Sequence, residues 1–173
     1  MELMKKFLFI IPPRDFRDPE LLEPKRILEE AGVEVIIAST TAGEVIGAEG
    51  NKAQATVAAA EAAPLDYDGV AFVGGPGTMA ELENPDFLSL AKRFCQAGKL
   101  IAAICAAPAI LANASLLKGK KVTAWSGVKD LLVQKGALWQ DEPVVTDGSI
   151  ITANGPAAAG EFGQAIAQQL RNH

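Results

Sequence analysis

The stretch Ile101-Ala102-Ala103-Ile104-Cys105-Ala106-Ala107-Pro108 decides the fold. Its first four residues are apolar without alternation, the pattern of a strand covered on both faces. Pro108 suits the first turn of a helix, where its missing N–H is no loss. A strand that runs into a helix this abruptly strains the backbone of the residue between them, and only small neighbours fit beside it. Ala106 and Ala107 meet that need. The thiol of Cys105 would stand at a helix N-terminus, whose partial positive charge lowers a cysteine pKa below about 8.5 and favours the thiolate. Cys105 is therefore a candidate nucleophile. The other reading of the same residues is a small buried core cysteine. For Cys95, next to Phe94 within an expected helix, the structural reading is the better one.

The alternation of strand and helix extends in both directions. Phe7-Leu8-Phe9-Ile10-Ile11 reads as a second doubly covered strand. A helix is expected over residues 18–30, with Asp18 as N-cap, Pro19 in its first turn and Gly32 past its end. Leu21, Leu22, Ile27 and Leu28 would form its buried side, and Pro24 falls early enough to be accommodated. Residues 33–38 read as a strand, 40–52 as a loop or short hairpin, and 56–62 as a short helix. A third buried strand over 69–73 stops at Gly74-Gly75-Pro76-Gly77. Further helices are expected over 85–97, 108–113, 128–135 and 160–170, and strands over 100–104 and 121–124. Val144-Val145 and Ile150-Ile151-Thr152, joined through Asp147-Gly148, read as a hairpin because Asp-Gly favours a tight primed turn. This order implies α/β architecture: a mostly parallel sheet with helices on both faces, a flavodoxin-like three-layer sandwich forming one domain over 1–173. Such sheets bind ligands beyond the carboxyl ends of their strands, where Gly75 and Cys105 would both open.

A chain of 173 residues, nearly half of them apolar, can bury a substantial core. Its net charge of −5 argues against nucleic acid and anionic membrane as partners, since both favour basic faces. The stretch from Met1 to Lys6 leads into an apolar run that ends at Pro12-Pro13, too short for a membrane span and without a signal-peptide cleavage site. Two cysteines make no secreted disulfide framework, so the cytoplasm is the expected compartment. No histidine–cysteine–carboxylate spacing points to a metal. The glycines at 74–77 fit neither a dinucleotide fingerprint nor a Walker loop, so no cofactor is expected. Their N–H groups, with that of Ala106, could stabilise an oxyanion; a plain glycine turn is the alternative.

Taken together, Ile104-Cys105-Ala106-Ala107-Pro108 after a strand, Gly74-Gly75 after the preceding one and a glutamate early in the first helix resemble the ThiJ/PfpI superfamily. The resemblance runs nearly end to end and takes in Pro24, Ala31-Gly32, Val122-Thr123 and Asn154-Gly155-Pro156. It implies that a first-helix glutamate approaches the cysteine sulfur. Counting back from Gly32, with Pro24 as a second anchor, makes that residue Glu20 rather than Glu23. A protonated Glu20 donating to the sulfur would favour the thiolate; a first-turn glutamate complementing the helix dipole is the plainer alternative. The resemblance also implies a homodimer.

The family's usual histidine is missing. Where the protease-like branch carries it, directly after the cysteine, this chain has Ala106; where the deglycase-like branch carries it, the matching position is Trp125. The one histidine is His173, the last residue. Chemistry that needs a cysteine–histidine pair is disfavoured. Addition of the thiol to a small reactive carbonyl, glyoxalase- or deglycase-like, remains the leading expectation, with Cys105 as nucleophile, Glu20 moving the proton and the Gly75 and Ala106 amides as oxyanion donors. Redox sensing through peroxide oxidation of Cys105 is the rival. A PfpI-like hydrolase or isonitrile hydratase is open through the resemblance alone. Trp125, Ser126 and Asn154 are candidate pocket residues, Trp125 being as well suited to packing against the core or another subunit. Arg14, Asp15, Arg17 and Asp18 either bind a polar substrate group or form a solvated charged loop.

Overall fold

Apolar runs that lack alternation need cover on both sides, and the computed structural model, which describes residues 3–173, shows how they obtain it. Met1 and Glu2, which open the N-terminal stretch read above for a targeting segment, lie outside the described residues. The elements in order are β1 (Lys6–Ile10), α1 (Asp18–Glu30), β2 (Glu34–Ser39), β3 (Gly43–Ile46), β4 (Lys52–Ala55) and β5 (Val57–Ala58). Then follow β6 (Gly69–Phe72), α2 (Pro85–Gln96), β7 (Leu100–Ile104), α3 (Pro108–Asn113), β8 (Lys121–Val122) and α4 (Lys129–Gln134). The chain closes with β9 (Leu138–Trp139), β10 (Val144–Asp147), β11 (Ile150–Ala153) and α5 (Ala159–Arg171).

Seven strands form one sheet in the order β10-β11-β7-β6-β1-β2-β5, parallel except for the β10 edge. Side chains of a strand point alternately to opposite faces, and here both faces are buried. Phe7 and Phe9 of β1 with Leu100, Ala102 and Ile104 of β7 pack under α1 and α5; Leu8, Ile10, Ile101 and Ala103 pack under α2 and α3. The α/β sandwich with its mostly parallel sheet is the expected one. The chain leaves β1 toward β2 on one side and returns to β6 on the other. This reversal opens a crevice at the carboxyl ends of β1 and β6.

Several local expectations need correction. Asp18 is not the N-cap of α1: Arg17 is, with no side-chain cap, and Asp18 is the first helical residue. Its carboxylate instead reaches out of the helix to accept hydrogen bonds from the Glu49 and Asn51 backbone N–H groups (2.9 Å each) and from Asn51 Nδ2 (2.7 Å). Gly47 leaves room for it, since the Asp18 carboxyl occupies the space a Cβ there would need. Leu22 is on the exposed side of α1, not the buried one, because the sheet-facing stripe runs through Leu21, Pro24, Ile27 and Leu28. Pro24 is in the helix interior, where it packs against Gly163 of α5; having no N–H, it leaves the Glu20 carbonyl without its helical donor. Residues 56–62 are not an α-helix: Val57 and Ala58 pair with β2 at the sheet edge, and a single tight turn follows. The 40–52 segment is a hairpin, β3 with β4, reaching to Ala55. The strand expected over 121–124 stops at Val122 and pairs with β9, a two-residue strand with no signal of its own.

Among the described residues no helix is long and apolar enough to cross a membrane. Asp18 ties the tip of the β3–β4 hairpin to α1, and its carboxyl stays below its ordinary 3.8: burial opposes ionisation, and the hydrogen bonds from Glu49 and Asn51 outweigh it. A depressed carboxylate pKa adds stability above the unfolded value that is lost as the pH falls through the folded one. Asp18→Ala is expected to cost about 2 kcal/mol at neutral pH, from two stranded backbone donors. The deficit, read by urea denaturation, should shrink below pH 3.8.

Candidate active site

Cys105 sits at the turn between β7 and α3 with φ of 64°, in the left-handed region that side chains rarely adopt. Its neighbours hold it there. The Cys105 N–H donates to the Ala153 carbonyl (2.9 Å), and its own carbonyl accepts from the Trp125 N–H (2.8 Å). Ala106 and Ala107 are buried behind it. The strand–turn–helix geometry expected from the sequence is therefore present. Because Ile104 points to the face covered by α1 and α5, the turn brings Cys105 against that same layer.

Glu20 comes to it from α1. The side chain is completely buried, and neither carboxyl oxygen has a well-formed hydrogen bond among the described residues. Gly74 is the piece that lets the two meet. β6 and β7 are paired with Phe72 opposite Ala103, a register that carries Gly74 alongside Cys105. A Cβ on Gly74 would lie 2.6 Å from Glu20 Oε1, 2.7 Å from Cys105 Cβ and 2.7 Å from the Ile104 carbonyl. No side chain fits there. Gly75, singled out from the sequence for its N–H, makes a second close approach of its own. With φ of 123° it packs against the backbone of Asp15, Phe16 and Arg17. The Arg17 N–H donates to the Gly74 carbonyl (2.9 Å) and the Gly77 N–H to that of Asp15 (3.1 Å), which clamps the loop before α1 onto the glycine turn. The signal for Gly74 was present in the doublet, but choosing between its two members needed the β6–β7 register.

Burial pushes the Glu20 carboxyl up from 4.5 to about 7, against the lowering influence of the Cys105 thiol, the Arg17 guanidinium and the Gly74 backbone. Burial also pushes the Cys105 thiol up to about 12, and the charge and accepting oxygens of Glu20 add to the rise; the Ala106 N–H and Arg17 oppose it. This corrects the expectation of a depressed thiol pKa. The helix that follows has only six residues, and its end effect is outweighed by a site that holds one negative charge with difficulty and disfavours two. A thiolate here requires the proton to move to Glu20.

The remaining candidates are placed less tightly. Trp125 is 43% exposed, and its ring folds back over Gly127 in its own turn. Ser126 and Asn154 are exposed, and the Asn154 N–H donates to the Pro143 carbonyl (3.0 Å). Trp125 and the residue before Asn154 reach Cys105 through backbone bonds. Asp18 is no part of a solvated loop, being 1% exposed. His173 is at the far end of the sheet: its carbonyl accepts from Lys5 Nζ (2.9 Å), just before β1, in a cleft of about 910 Å³ that Asp68 and Arg171 also line. Cys95 is exposed on α2. Among the described residues no three His, Cys, Asp or Glu side chains are gathered for a metal ion.

A carboxyl whose folded pKa is raised above the unfolded one is fully compatible with stability below pH 4.5 and costs stability as the pH rises through about 7. Over that window the loss should approach about 3 kcal/mol. Denaturation at pH 5 and pH 8 is expected to show this fall in the native protein and a much flatter profile in Glu20→Gln.

The profile of the DJ-1/PfpI family matches residues 5–169. The protein MJ0967 of Methanocaldococcus jannaschii is 38% identical over 171 residues, covering 97% of this chain and 83% of that one. Deglycase PH1704 of Pyrococcus horikoshii is 34% identical over 152 residues, covering 88% of this chain and 91% of its own. In three dimensions the chain is similar to a ThiJ/PfpI domain protein of Brachyspira murdochii, with a TM-score of 0.97 at 30% identity and 99% coverage of both chains. The strand-end cysteine, the glycine that makes room beside it and the buried first-helix glutamate thus stand in a chain matched along nearly its whole length, and the chain belongs to the DJ-1/PfpI family.

Proposed function

We propose that this chain is a cofactor-independent enzyme that acts on small α-oxoaldehydes, in a glyoxalase- or deglycase-like reaction. The observation that carries the reading is the completely buried, unpartnered Glu20 carboxyl beside the strained Cys105, with its pKa near 7. General bases work best with a pKa near the working pH. Burial gives a carboxylate the proton affinity that a histidine has by nature, so the missing imidazole leaves no gap in the proton inventory.

The steps follow from that. Glu20 as carboxylate takes the thiol proton while Cys105 sulfur bonds to the aldehyde carbon, and the carbonyl oxygen becomes an oxyanion. The Gly75 and Ala106 N–H groups, which donate to no backbone carbonyl among the described residues, are its proposed donors. Glu20 returns the proton to that oxygen, giving a hemithioacetal. It then removes the proton on the former aldehyde carbon and delivers it to the neighbouring carbon through an enediol, while the hydroxyl proton of the former aldehyde oxygen passes to the ketone oxygen. The resulting thioester is cleaved by water to a 2-hydroxy acid and the free thiol. Deglycase-named relatives support this class of chemistry in general terms. Peroxide sensing would draw on the same transfer of the thiol proton to Glu20, without support from the deglycase-named relatives. A PfpI-like hydrolase would need the same Glu20 to protonate a leaving group.

The enzyme is further proposed to act in the cytoplasm as a homodimer. Leu22 on α1 and Ile46 on the hairpin are exposed apolar side chains that a second copy would cover. Sedimentation equilibrium should return about twice 18.1 kDa; a monomer at micromolar concentration removes the dimer from the proposal.

Lactate formation from methylglyoxal tests the reaction itself. The native protein is expected to show kcat/KM rising with pH around 7. Glu20→Gln should lose about a hundred- to ten-thousandfold together with that pH dependence, and Cys105→Ser should be inactive. No lactate between pH 5 and 9 would sink the reading.

A further inference from the structure

A buried carboxyl and a thiol account for the reaction but not for which aldehyde enters. Arg17 stands closest to that question. Its backbone is fixed, because its N–H donates to the Gly74 carbonyl (2.9 Å), the residue whose Cα separates Glu20 from Cys105. It is also the cap of α1, three residues before Glu20. Its positive charge acts against the upward shift of both Glu20 and Cys105, in keeping with that backbone placement.

That charge is weakly engaged within the protein. Among the described residues the side chain of Arg17 makes no hydrogen bond, and its one ion pair, Nη1 to Glu49 Oε1, is 3.9 Å long between half-exposed groups. Such pairs are weak. The carboxylate next to it in sequence cannot serve, because Asp18 is already committed to Glu49 and Asn51. A guanidinium whose backbone is anchored beside the site, and which makes no hydrogen bond of its own among the described residues, can grip a carboxylate through two bonds.

We propose that Arg17 is the specificity-determining residue, and that the preferred substrates are α-oxoaldehydes bearing a carboxylate on the ketone side. This rests on the reaction proposed above. The probe is 4,5-dioxopentanoate, whose hydration by the same steps gives 2-hydroxyglutarate; methylglyoxal is the neutral comparator. The carboxylate stays with Arg17 throughout and takes no part in bond making.

Two readouts test the assignment in the full chain. The first is the ratio of kcat/KM for 4,5-dioxopentanoate to that for methylglyoxal, which cancels any change in the reactivity of Cys105. Arg17→Gln should lower it about tenfold, mostly through KM, and Arg17→Lys should recover part of the loss. The second is the ratio of alkylation rates by iodoacetate and iodoacetamide at Cys105, with Cys95 as internal reference and each site read by mass spectrometry. It too should fall about tenfold in Arg17→Gln, whereas a purely structural role would move both reagents alike. Unchanged ratios in both readouts overturn the inference even if methylglyoxal is turned over. A charge ratio that falls while neither aldehyde reacts overturns the proposed reaction and supports Arg17 as the anion selector.

Discussion

Everything at this site depends on one close approach, that of Gly74 to Glu20 and Cys105. Three chain segments far apart in sequence end at that point: the first turn of α1, the end of β6 and the end of β7. With hydrogen as its only side chain, Gly74 lets the Glu20 carboxyl lie directly against the cysteine turn. The parallel pairing of β6 with β7 supplies the alignment, and the clamp of the 14–17 loop on the glycine turn fixes the angle at which α1 enters. Loosening any of these would let the carboxyl relax toward solvent and return to ordinary acidity.

The electrostatic consequences follow from the same packing. Both titratable groups are pushed toward their neutral forms by burial, and each discourages ionisation of the other. A carboxylate normally has too little proton affinity to deprotonate a thiol at neutral pH; burial raises that affinity at Glu20 and raises the thiol's as well. In the proposed reaction the thiol proton passes to Glu20, so that the site carries one negative charge rather than two. Any charge that develops on sulfur as the proton leaves is favoured by Arg17 and the Ala106 N–H.

Asp18 and Glu20 are both buried at the start of α1, yet they behave oppositely. Asp18 has three hydrogen-bond donors and stays ionised, locking the β3–β4 hairpin to the helix. Glu20 has no well-formed hydrogen bond among the described residues, only the weaker influence of the Gly74 backbone and the Cys105 thiol, and is protonated more readily. Two acidic residues, two positions apart, are thus set to opposite acidities by how well N–H groups meet them.

Glu20 was singled out through the resemblance to ThiJ/PfpI proteins; by itself the sequence determined the layered architecture and the strand-to-helix turn at Cys105. These are legible because they rest on local rules: unbroken apolar runs for doubly covered strands, Pro108 and Gly32 at helix ends, and small residues about the cysteine. Tertiary structure decided the rest. Local reasoning made Asp18 a cap, because it could not see the hairpin tip that supplies better donors. It placed Leu22 inside, because Pro24 and Gly163 set which stripe of α1 meets α5. It expected a lowered thiol pKa from a helix end and a protonated Glu20, since the extent of burial around the pair is set by distant segments. The choice of Gly74 over Gly75 and the isolation of His173 at the opposite end of the sheet likewise depend on strand register and direction. Those are properties of the folded chain, fixed by which surfaces it must bury together.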